Sequence, residues 1–67
     1  MSIPEDVLNS IAENIKKAKE TINSVSDVIA DLRASGIDAS KQETELTAAK
    51  SELRRLETFY TRQAGKK

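Results

Sequence analysis

The side chains best placed to do chemistry in this chain are carboxylates and cations, because it contains neither histidine nor cysteine. Glu43, Glu45, Glu52 and Glu57 border an apolar stripe, and glutamates so placed can ligate a metal or act as an acid–base pair. A dinuclear site inside a helical bundle, however, needs inward-facing glutamates and usually a Glu-x-x-His motif, which this sequence lacks. Without a thiol or an imidazole there is neither a cysteine nucleophile nor the commonest general base. Gly-rich phosphate loops, nucleophile elbows and zinc patterns are missing as well. The sequence therefore predicts a protein that is not an enzyme, with no catalytic residues, no metal and no cofactor.

Cations offer the other chemistry. Lys16, Lys17 and Lys19 form one cluster, Arg54 and Arg55 a second, and Arg62, Lys66 and Lys67 follow. A positive strip on a helical surface can hold phosphates, which makes a dimeric nucleic-acid-binding regulator the alternative function. Against it, Glu13, Glu20, Glu52 and Glu57 are interspersed at spacings of three and four that suit ion pairs on a helix surface. Eleven basic and eleven acidic side chains leave a formal net charge of zero, so only a local patch could attract a polyanion.

Helices must carry these groups. Apolar residues make up 37% of the chain and charged ones 33%, with one proline and two glycines, and the apolar residues are strongly patterned. Pro4, with Ser2 and Glu5 in capping-box spacing around it, marks a first helix over about 4–35. The run Leu32-Arg33-Ala34-Ser35-Gly36-Ile37 fits a Schellman ending, with Gly36 left-handed and Ile37 against Leu32. Asp38 then caps a second helix over about 39–64, or Ser40 and Glu43 do so as a later capping box. Gly65 stops it, leaving a basic tail over 65–67. The turn thus comprises Gly36, Ile37 and Asp38, and so short a connection makes the helices antiparallel neighbours on the order of 40 Å long.

Leu8, Ile11, Ile15, Ala18, Ile22, Val25, Ile29 and Leu32 alternate spacings of three and four without a break. This heptad seam is the strongest pattern in the chain. Ala39, Gln42, Leu46, Ala49, Leu53, Leu56, Tyr60 and Gln63 repeat the spacing more weakly. Folding back at Ser35 and Gly36 sets Val25 level with Leu46, Ile22 with Ala49, Ala18 with Leu53 and Ile15 with Leu56, so that small residues meet large ones. Val7 and Val28 widen the first stripe on one side and Ala12 on the other, while Phe59 widens the second, giving a candidate outer interface. Phe59 and Tyr60 are expected to plug the open end near Leu8 and Ile11.

The expected fold is therefore all-α, a single coiled-coil-like antiparallel two-helix hairpin. Two helices cannot cover so broad a stripe, so the hairpin is expected to assemble into a four-helix bundle as a homodimer. The expected function is protein–protein association in a structural, adaptor or regulatory role. Its partner is itself or another helical protein, as for a subunit or chaperone completed by a heterologous helix. No apolar run approaches the roughly 20 residues that cross a bilayer, no signal-peptide pattern opens the chain, and the stripe's mixed-charge borders do not suit a membrane surface. A cytoplasmic location is the resulting expectation.

Overall fold

The structure, a computed structural model, describes residues 3–65. Two helices account for almost all of them, α1 over Glu5–Ala34 and α2 over Ser40–Ala64. They fold into an antiparallel two-helix hairpin. The principal extents of 51 × 15 × 13 Å make it a thin rod, longer than the 40 Å expected because α1 runs for 30 residues at about 1.5 Å each.

α1 begins after Pro4, which occupies the N-cap position with a ψ of 148° and forms no side-chain cap bond. Its carbonyl accepts the first helical bond, from the Leu8 N–H at 3.1 Å. Glu5 and Asp6 lie in the first turn, where negative charge suits the helix dipole. Ser2, expected to form half of a capping box, lies outside the described residues.

The helix ends as a Schellman motif. The Gly36 N–H donates to the Arg33 carbonyl at 3.0 Å and the Ile37 N–H to the Leu32 carbonyl at 2.9 Å, with Gly36 at φ 75°. Ile37 is 53% exposed at the turn.

The start of α2 differs from expectation by one residue. Ala39, not Asp38, holds the N-cap position, and Ser40 is the first helical residue rather than the head of a capping box. Asp38 still satisfies the helix start from one position upstream: its Oδ1 accepts the Ser40 N–H at 3.1 Å and the Ser40 hydroxyl at 2.6 Å. Glu43 sends its N–H to the Ala39 carbonyl and its carboxylate across to Arg33, so no reciprocal box forms. At the far end Gly65 stops α2 in an ordinary right-handed conformation (φ −78°), its N–H bonded to the Thr61 carbonyl.

Packing between the helices is one-sided. Ile15, Ile22 and Ile29, seven residues apart, are buried together with Ala39, whereas Leu8, Ile11, Ala18, Val25 and Leu32 are half-buried. α2 has no buried residue: Leu46, Leu53, Leu56 and Tyr60 stop at half-burial, as do Gln42 and Gln63, and Ala49 is exposed. Ala49 was expected inside the seam. It fails to be covered because its position points to the broad side of the hairpin on which nothing lies.

Candidate functional site

That broad side is best described by the heptad. With Ile15 and Ile22 at position a, position e of α1 holds Ala12, Lys19, Ser26 and Arg33, and position g holds Val7, Asn14, Thr21 and Val28. The matching residues of α2 are Glu43, Lys50, Glu57 and Ala64 at e, and Glu45, Glu52 and Phe59 at g. In an antiparallel pair the e rows meet along one face of the ribbon and the g rows along the other.

The e face is sealed. The Lys19 ammonium reaches the Glu57 carboxylate at 3.1 Å, and the Arg33 guanidinium pairs with Glu43. These bridges are fourteen residues apart on both helices, two full heptads, so the register holds constant along the rod. The buried isoleucines at position a adjoin this face. Each bridge is largely solvated and worth on the order of 0.5 kcal/mol, so its weight is in fixing register rather than stability.

The g face is open. Between the helices runs a shallow groove of about 300 Å³ lined by Thr21, Ile22, Val25, Glu45, Leu46 and Ala49. It brings Ile22 and Val25 together with Ala49 and Leu46, the register read from the spacing. Val7 at 44%, Val28 at 53% and Phe59 at 39% are the large apolar side chains left exposed along the helices, and all three belong to the g rows. Phe59 borders the open face, while the neighbouring Tyr60 turns inward to half-burial.

The cations group differently from the strip expected of the sequence. Lys19 is drawn to the sealed face by Glu57, and Arg55 lies 3.4 Å from Glu52 one turn away. Lys16 and Lys17 remain exposed on α1. On α2, Arg54, Arg55 and Arg62 share an outer surface with Thr58 and Phe59, lining a wide, shallow depression. Among the described residues no three carboxylates converge as metal ligands would. The Asp38 carboxyl is held below its ordinary value, chiefly by the Ser40 hydroxyl and then by the Ser40 N–H. Its role belongs to the turn.

Sequence reasoning located the residues of the open face but not the asymmetry. The charge pattern carries the missing signal: in α1 the cations Lys19 and Arg33 sit in the e row, while the g row has no charged residue. No helix of the described residues is long and apolar enough to cross a membrane. No family model, curated protein or solved structure matches this chain.

Proposed function

We propose that this chain is a non-enzymatic protein–protein interaction module that associates with a second copy of itself through the open g face, serving a structural, adaptor or regulatory role. The observation that carries this reading is the contrast between the two faces: ion pairs close one, and the other exposes Val7, Val28 and Phe59 around an apolar groove.

Surface area agrees. The chain exposes 5208 Å², whereas a compact monomer of 7.4 kDa exposes about 4,200 Å². The excess of roughly 1,000 Å² is close to the 800 Å² or so that each partner gives up in a standard interface. Stacking two hairpins on their g faces makes a four-helix bundle, which covers the half-buried leucines of α2 and the d positions of α1. The lack of histidine and cysteine gives no support to a catalytic alternative.

Phosphate binding by Lys16, Lys17, Lys19, Arg54 and Arg55 has less behind it, because Lys19 and Arg55 already have acidic neighbours. Completion of the hairpin by a different helical protein uses the same open face and is separated by experiment. Analytical ultracentrifugation with circular dichroism on the pure chain is expected to show a helical dimer whose melting temperature rises with concentration. Val28→Asp together with Phe59→Asp is expected to shift it to monomer. A well-folded monomer at millimolar concentration would refute the proposal, and an unfolded one would favour a heterologous partner.

A further inference from the structure

The pairings across the hairpin are centred on its turn. Lys19 and Glu57 lie nineteen residues either side of Asp38, and Arg33 and Glu43 lie five either side of it. Along the groove, Ile22 with Ala49 and Val25 with Leu46 are centred between Ser35 and Gly36. Two antiparallel chains satisfy pairs disposed in this way equally well, because a twofold axis through the turn re-forms each pair between α1 of one copy and α2 of the other. The seam also runs on through the turn. From Leu32 it steps four residues to Gly36, three to Ala39, three to Gln42 and four to Leu46. The two consecutive steps of three are the one departure from alternation between Leu8 and Gln63, and a coiled coil absorbs such a departure as local overwinding.

Little holds the bend itself. Residues 33–38 are all exposed, and a Cβ added at Gly36 would meet nothing within 4 Å. The turn therefore rests on the left-handed conformation of Gly36 (φ 75°) and on the bonds from Ser40 to Asp38, not on packing. We propose that the seam of α1 is a docking surface for α2 of a second copy as well as for its own α2, and that Gly36 decides between the two. In the exchanged form residues 35–39 become helical and each chain is one helix of about 90 Å. Two chains then make an antiparallel rod in which the seam pairs and both bridges re-form between copies. The exchange uses the seam, not the g face, and so goes beyond the stacking proposed above. In the wild-type chain the short tether presents α2 to α1 at an effective concentration on the order of millimolar, which keeps pairing within one chain below that level. Gly36→Ala acts twice, straining the left-handed turn and removing glycine from the exchanged helix, each worth about fivefold per chain. Over two chains the exchanged rod gains several hundredfold, which brings its midpoint down to the low micromolar range.

Length reports the exchange. By small-angle X-ray scattering the wild-type chain at about ten micromolar, single or stacked, is expected to keep the 51 Å length, and Gly36→Ala to reach about 90 Å. Gly36→Asn, a residue that tolerates the left-handed turn and is a poor helix former, is expected to stay near the wild-type length. Chain origin is read separately and without touching Gly36. Ser26 and Lys50 are exposed, lie midway between the two bridges on their respective helices, and belong to a chain with no cysteine. In Ser26→Cys with Lys50→Cys, a short bis-maleimide links within one chain in the hairpin and between chains in the rod, with each single-cysteine chain as the control for collisions. Refolding at several millimolar is expected to convert a sizeable share of the links to interchain ones, and adding Gly36→Ala to do so at about ten micromolar. A Gly36→Ala chain that folds at the 51 Å length with intrachain links, or a double-cysteine chain refolded at several millimolar with no interchain links above the controls, overturns the exchange and leaves stacking on the g face standing.

Discussion

Ile22 is the residue on which the balance between the two faces can be measured most directly. It is 9% exposed, is the central member of the buried isoleucine row and also lines the groove of the open face. Ile22→Ala removes roughly three carbon atoms. At about 0.8 kcal/mol for each, the lost transfer energy is about 2.4 kcal/mol. The usual further cost of an enclosed cavity is small in a lone hairpin, because the space vacated joins the groove and fills with water. It is larger in a bundle, where a second copy roofs the groove and the cavity stays dry. The expected loss is therefore about 2–3 kcal/mol per chain at low concentration, rising toward about 4 kcal/mol where the dimer is saturated. Urea denaturation followed by helical circular dichroism, at protein concentrations a hundredfold apart, measures both values. A loss below about 1 kcal/mol at either concentration would refute the packing described. A loss equal at the two concentrations would refute the roofing of the groove.

Gly36→Ala meets no steric obstacle, since nothing lies within 4 Å of the added carbon, yet φ 75° is strained for alanine. It is expected to destabilise the hairpin by about 1 kcal/mol, with Gly36→Asn costing less, as chemical denaturation of the two variants can check. A double-mutant cycle on Lys19→Ala and Glu57→Ala is expected to give a coupling of about 0.5 kcal/mol that falls further in molar salt. Asp38 titrates below its ordinary value because the folded turn hydrogen-bonds its ionised form, so its contribution is present at neutral pH and is lost as pH falls through the folded pKa. Asp38→Asn is therefore expected to flatten the acid side of the stability–pH curve, which melts between pH 2 and about pH 6 would reveal.

The hairpin itself was legible because its determinants are local or periodic. Gly36 sits where a left-handed residue must end α1, and the three–four spacing from Leu8 to Leu32 admits one seam. The start of α2 was less legible, since Asp38, Ala39 and Ser40 can each act at a helix N-terminus. Asp38 reaches the Ser40 N–H from outside the helix, and this leaves alanine at the cap. The exposure of Ala49 in the hairpin was not legible for a different reason: spacing states which residues share a stripe, not whether a neighbour covers it. The sealing of the e face was present in the sequence as the phase of Lys19 and Arg33 against Glu57 and Glu43. It became visible once the two helices were set in register.

Both cross-helix bridges put the cation on α1 and the anion on α2. On that edge two first helices would repel each other, as would two second helices, while a first helix and a second attract. The arrangement works as a sorting rule: on this edge a first helix is complementary to a second helix, and the nearest one is joined to it by only the five residues 35–39.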